Sequence, residues 1–558
     1  MYALFKSNPT WTQFNMSFKF RCRALIFGLA VLSLSAGCNE QPHSTALEPP
    51  VDQALTVTTY HGKVKGRWTQ TNEPIRVFQG VPYARPPVDQ LRWRPPQAPQ
   101  SWSGVLPTLT PGSACWQAAP VDNFVWSRGS FERSENCLYL NIWGQPSAID
   151  QAVMVWFHGG SHTTGRSHEA IFNGAELARQ GVIVVTVNYR LGPLGFLAHP
   201  LLNAESSHNS SGNYGLLDKI AALNWIRDNI AQFGGNPGNM TIFGQSAGSQ
   251  SVCALMASPL AKGLFAKAIG QSAACMRPLD ELDPNGHNTG EALIASLTTA
   301  KQADTLRQIS PQQLINAAQT TQWAGQSRIV VDGWVLPDEP QQIYALKQQA
   351  KVPLLLGSLA NEGHNLFPLD TQLTETQLRE FASYIAGPDL AEPLLALYAS
   401  QANTSPGLAQ REIITDRFMA HGMRRWADHQ TDTGQPVYLY FMDHTPPAFA
   451  LYRPADPELN LPKGPRSAGA YHSGDLAYVF GNTQKVGLHW QPQDHAMAAL
   501  ITQYWTNFAK TGDPNGPGLP NWPTYNKENR NTQLLRPNPE TRSGVRREIL
   551  DLWDQYAL

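Results

Sequence analysis

The sequence predicts an α/β fold, a mostly parallel central sheet with helices on both faces. Three observations predict it. Short apolar runs rich in β-branched residues recur along the chain, a pattern of strands buried on both faces. A helix-period stretch lies between two of them, and alternation of the two element types favours a parallel sheet covered on both sides. Finally, one run leads through a glycine-flanked turn into an apolar helix-like stretch, at residues 241–257.

The strands come first. Val153–Phe157, Val182–Val187, Thr241–Phe243 and Pro353–Leu356 are flanked by Gly or polar residues and read as central strands. Residues 213–233 place Leu216, Ile220, Leu223, Ile226 and Ile230 at helical spacing, so an amphipathic helix is expected there. There is no internal repeat. Residues 56–558 are read as a single domain, with about 275–350 and 365–465 expected to fold over the sheet as a cap.

Composition narrows the function classes. Against 42 Lys+Arg stand 43 Asp+Glu, and only 15% of the 558 residues are charged while 42% are hydrophobic. That is not a disordered chain, nor does it carry the clustered basic charge of a nucleic-acid binder. No apolar stretch reaches the roughly 18 residues of a membrane span. The 44 Gly and 43 Pro imply many turns.

Residues 1–37 read as a targeting segment. ALIFGLAVLSLSA (24–36) follows Lys19, Arg21 and Arg23, a basic region and an apolar core of signal-peptide length. It ends in Leu34-Ser35-Ala36-Gly37-Cys38, which resembles a bacterial lipoprotein cleavage box with Cys38 to be lipidated; Ser35 stands where Leu is usual. Asn39 after the cysteine points to the outer membrane, facing the periplasm or the cell surface. An ordinary secretory signal is the alternative, and Met16 is a second candidate start. Residues 38–55 read as a polar tether. Residues 1–37 hold four basic residues and no acid, so the rest of the chain has a formal charge of −5.

Four cysteines remain in an exported protein, where disulfides are permitted. Cys115 and Cys137 enclose a short segment and are the pair expected to be bridged; Cys253 and Cys275 are either a second bridge or buried thiols. His158 and His162 have metal-ligand spacing only on a helix, and the intervening Gly159-Gly160 indicates a loop.

Gly244-Gln245-Ser246-Ala247-Gly248 is G-x-S-x-G between a strand and a helix. That setting is what a nucleophile elbow requires, the turn exposing the serine hydroxyl at the sheet's carboxyl edge. Any anion formed there faces the N-terminus of the following helix. His158-Gly159-Gly160-Ser161 directly follows a strand, as the oxyanion-hole loop of esterases does.

From Val77 to Tyr525 the chain resembles the type-B carboxylesterase/lipase family, the cholinesterase-like α/β-hydrolases. The matching blocks are VFQGVPYARPPVDQLRWRPP (77–96), SENCLYLNIW (134–143), VNYRLGPLGFL (187–197), GQSAGS (244–249), SPLAKGLFAKAIGQS (258–272), GSLANEG (357–363), GAYHSGDLAYVFG (469–481) and YWTNFAKTGDPNGPGLPNWPTY (504–525). The resemblance implies an α/β-hydrolase fold with cap insertions over a gorge. It also implies a serine carboxylesterase working through an acyl-enzyme, with Ser246 as nucleophile, Glu362 as acid and His472 as base. The amides of Gly160, Ser161 and Ala247 would form the oxyanion hole, and Ser272 would support the acid by a hydrogen bond. Arg92, Glu135 and Arg190 match a buried ion-pair cluster. The mechanism needs no cofactor or metal, and the partner is a small-molecule ester; nucleic acid is no partner, and membrane contact is only through a lipid on Cys38.

The chain departs from the family in three places. Ser161 replaces a third glycine, where a positive φ would be strained. His162 stands where an aromatic is common, either lining the acyl or leaving-group pocket or facing the cap. Gln245 replaces a frequent Glu, removing a negative charge that would favour cationic esters. Some relatives on this fold have lost the nucleophile and act as binding proteins; the complete set of residues here favours an enzyme. Esterase and true lipase would be separated by the dependence of rate on acyl-chain length.

Overall fold

The computed structural model describes residues 55–118, 131–321, 323, 328–367, 369–447, 469–486 and 490–556. The targeting segment and its Cys38 therefore lie outside the described residues, as do residues 448–465 of the second cap stretch. All the described residues belong to one compact unit.

An eleven-stranded sheet forms the centre. Its strands are β1 (Arg67–Trp68), β2 (Arg76–Pro82), β3 (Tyr139–Gly144), β4 (Gln151–Phe157), β5 (Ile183–Val187), β6 (Gly235–Gln245), β7 (Lys267–Gln271), β8 (Leu354–Leu359), β9 (Val437–Met442), β10 (Asn531–Leu535) and β11 (Glu540–Ser543). The spatial order is β11-β10-β9-β8-β7-β6-β4-β5-β3-β2-β1. From β5 to β10 every neighbouring pair is parallel, whereas β5–β3, β3–β2, β2–β1 and β10–β11 are antiparallel. The four apolar runs all fall in the parallel part.

Those runs are continuous because both sheet faces are covered. Along β4, Val153, Val155 and Phe157 enter one apolar cluster, while Met154 and Trp156 enter another on the opposite face. Leu354 and Leu356 of β8 divide from Leu355 in the same way, as the two-residue period of a strand dictates. The first face is covered by the helix Tyr214–Asn229 and the second by Pro492–Thr511.

The helix Tyr214–Asn229 departs from expectation. It is buried nearly all round, including Asp218 and Lys219, rather than amphipathic. These two buried titratable groups are held by an ion pair on one and an aromatic face on the other. Asp218 takes both guanidinium arms of Arg190, at 2.7 and 2.8 Å. This corrects the expected Arg92–Glu135–Arg190 cluster: Arg92 does clamp Glu135, at 2.5 and 2.7 Å, but Arg190 is bonded to Asp218 and to the Arg94 carbonyl and forms a separate pair. Lys219 Nζ lies 3.1 Å from the centre of the Tyr189 ring.

The stretch 275–350 is no detached cap, because Leu293, Leu306, Leu314 and Ile343 join the main core. Helices between Glu375 and Thr415 instead gather around a small cluster of their own, completed by Leu552 and Trp553 of the C-terminal helix Arg547–Gln555. Cys115–Cys137 is bridged as expected, and Cys253–Cys275 proves to be a second bridge.

Candidate active site

The strand β6 ends at Gln245 and the helix Ala247–Ala257 begins two residues later, so Ser246 alone makes the turn. It does so at φ +56°, ψ −126°, a region an L-residue occupies at a cost of about 1–3 kcal/mol. Its amide donates to the Gln271 carbonyl at 2.8 Å, pinning the turn to β7. The flanking glycines are there for space. A Cβ on Gly248 would sit 1.9 Å from the Phe157 carbonyl oxygen, and one on Gly244 would sit 2.5 Å from Gly248 itself. Any side chain at either position would push the helix off the sheet.

The loop 158–162 folds over this turn. Gly160, Ser161 and His162 have φ of +103°, +53° and +56°, so the strain anticipated at Ser161 is present. A Cβ on Gly159 would stand 3.1 Å from that of Ser246; only glycine lets the loop come this close. Among the described residues, the amides of Gly160, Ser161 and Ala247 have no hydrogen-bond acceptor. Those of the loop and the first turn of the elbow helix are thus three donors left for a ligand, and the helix N-terminus adds its positive end.

Aromatic rings hold the loop from below. The His158 ring stacks on Tyr189 at 4.4 Å, and the Tyr189 hydroxyl donates to the His158 carbonyl at 2.7 Å. Burial pushes the His158 imidazole down to about 3, so it is neutral. His162 is buried against Phe196 and Tyr189, with Nε2 3.2 Å from Gln250 Oε1. Its ring supports the loop.

Glu362 and His472 come together from 110 positions apart. Glu362 follows β8, is fully buried, and meets His472 Nδ1 with Oε2 at 2.6 Å; its Oε1 accepts the Leu359 amide at 2.8 Å. With the Nδ1 proton directed at the carboxylate, Nε2 keeps its lone pair. That lone pair accepts the side-chain amide of Gln245 at 3.1 Å, one residue before the elbow serine. Ser246 Oγ has no hydrogen bond to a described residue, and catalytic contacts commonly tighten only with substrate bound.

Ser272 departs from its expected role. It is fully buried at φ +61°, and its hydroxyl has no hydrogen-bond partner among the described residues. The second oxygen of Glu362 is taken by the Leu359 amide instead, a backbone donor that the two residues' spacing in the loop supplies. Sequence reasoning also missed two groups beside the pair. Asp475 is buried behind it, with Oδ2 accepting from Gln271 Nε2 at 2.7 Å and from Tyr440 at 3.2 Å. Asn365 bonds the main chain of His472. Asp475 stands in the GAYHSGD block, but nothing in the chain marks either residue's partners.

Comparison with known proteins gives the family. Residues 53–553 match the model of the carboxylesterase family. The para-nitrobenzyl esterase of Bacillus subtilis (strain 168) is 36% identical over 497 residues, covering 86% of this chain and 94% of that protein. Carboxylesterase 4A of Bos taurus is 31% identical, covering 89% and 94% respectively. A solved structure of a PNB esterase superposes with a TM-score of 0.77 at 32% identity, covering 90% of this chain and 99% of the other. The fold is that of the α/β-hydrolases, and with its elbow, its glycine loop and these relatives the chain belongs to the carboxylesterase family.

Proposed function

We propose that Ser246, His472 and Glu362 are the catalytic triad of this serine carboxylesterase. The observation that carries the assignment is the 2.6 Å contact of Glu362 with His472, whose other ring nitrogen is held by the residue preceding Ser246. His472 Nε2 takes the Ser246 proton as Oγ attacks the ester carbonyl, the Gln245 amide giving up its place on that lone pair. Glu362 keeps the ring in the required tautomer and stabilises the imidazolium. The free amides of Gly160, Ser161 and Ala247 receive the charge that develops on the carbonyl oxygen; losing one such donor costs about 3–4 kcal/mol of barrier. His472 then protonates the leaving alcohol, and water attacks the acyl-enzyme by the same route.

Ser246→Ala should lower the rate on p-nitrophenyl acetate by a factor on the order of 10⁶. A purified, folded variant that hydrolyses the ester at the parental rate would refute the assignment. Neutral esters are the proposed substrates, because Gln245 brings no negative charge to the site; the para-nitrobenzyl esterase relative fits that class. The chain is further proposed to be exported and held at the outer membrane by a lipid on Cys38. Mass spectrometry of the mature protein should then find a diacylated Cys38 at the N-terminus, and an unmodified terminus elsewhere would remove that proposal.

A further inference from the structure

We infer that Asn365 is a positioning residue for the catalytic histidine, clamping its main chain to the loop that carries the acid. The inference rests on the reading of His472 as the base. The Asn365 side chain pairs with His472 as one strand pairs with another: Oδ1 accepts the His472 amide at 2.9 Å, and Nδ2 donates to the His472 carbonyl at 3.2 Å. Both residues are buried. The peptide of His472 thus has both its donor and its acceptor taken by one rigid carboxamide, three positions after Glu362.

A second asparagine works on the other side of the acid. Asn361 donates its amide to the Ala470 carbonyl at 2.9 Å and accepts the Ala470 amide on Oδ1 at 3.0 Å. Its Nδ2 is anchored to Glu412 at 3.1 Å, and Glu412 is bonded in turn by His364 at 2.8 Å. The histidine loop is shaped to receive it. Gly469 has φ +64°, and a Cβ there would lie 2.2 Å from Asn361 Oδ1.

The acid loop therefore grips the histidine loop at Ala470 and His472 through four main-chain bonds, besides the side-chain bond from Glu362 to Nδ1. One carboxylate contact fixes the ring's tautomer but leaves its Cα free to drift. The asparagine bonds fix the Cα. A displacement of about 1 Å at a reacting group can cost on the order of 10²-fold in rate, so removing the clamp should be read in kcat.

The test uses Asn365→Leu, which keeps the volume and makes neither bond, and Asn365→Asp, which keeps the acceptor for the His472 amide. Asn365→Leu should lower kcat for p-nitrophenyl acetate by about 10- to 100-fold with KM within about twofold, and Asn365→Asp should fall between it and the parent. In a His472→Gln background, Asn365→Leu should cost no further rate, because its effect passes through the histidine. A normal kcat with only a lower Tm, or a rise confined to KM, overturns the inference; so does a loss that persists in the His472→Gln background. If Asn365→Leu does not fold, Asn365→Asp decides alone, and a parental kcat for it overturns the inference. A His472→Gln enzyme with the parental rate would instead refute the reading of the base itself.

Discussion

Asp475 lies three residues past His472 and is buried, with one carboxyl oxygen bonded and the other without a partner among the described residues. Burial, with the charge of Glu362 adding to it, pushes its pKa up to about 6. A carboxyl whose pKa is raised by folding stabilises the native state most below its unfolded value near 3.8, and that contribution is lost as pH rises through 6. Asp475→Asn removes the penalty of ionising it. The variant's Tm relative to the parent should therefore improve as pH rises from 4 to 7, by an amount equivalent to about 3 kcal/mol at most. Thermal melts of both proteins at the two pH values check this; a gap independent of pH would mean that Asp475 titrates normally. The residue also shows where sequence reading stops. Ser246 was legible because its elbow is local, built by glycines two positions to either side. Asp475 and Asn365 were not, since their partners come from other parts of the chain, and Glu362 and His472 were reached only through the family's blocks.

Among the elements, the parallel strands were legible because burial on both faces leaves a continuous apolar run. The helix Tyr214–Asn229 was found for its spacing but misjudged in kind. Its spacing says nothing of Asp218 and Lys219, and only their partners, Arg190 and the ring of Tyr189, explain how they lie in the core. The outer strands β1, β2, β10 and β11 are short or irregular and gave no comparable signal. The Cys253–Cys275 bridge acts at this level, tying the elbow helix to the chain just beyond β7, across a sequence separation of 22. Closing a loop of that size should contribute about 3 kcal/mol. The double variant Cys253→Ala/Cys275→Ala should melt several degrees lower by calorimetry while still hydrolysing esters at 25 °C. An unchanged Tm would mean that the bridge contributes nothing to stability.

For the whole molecule, alternation of strand and helix was enough to name a parallel sheet, but not its width or its reversed ends. Those depend largely on pairings between distant segments, such as β2 with β3 and β3 with β5, which leave no periodic trace. The ends have a consequence for how the protein behaves in a crowd of its own copies. A broad sheet presents a row of open peptide groups at each margin, onto which another chain's strand can add. Here one margin is the two-residue β1, and the other is the four-residue β11, where Glu540 and Arg542 alternate with Thr541 and Ser543. Brevity at one side and charge at the other leave little template for added strands, so the sheet that carries the elbow is protected against self-association into fibrils.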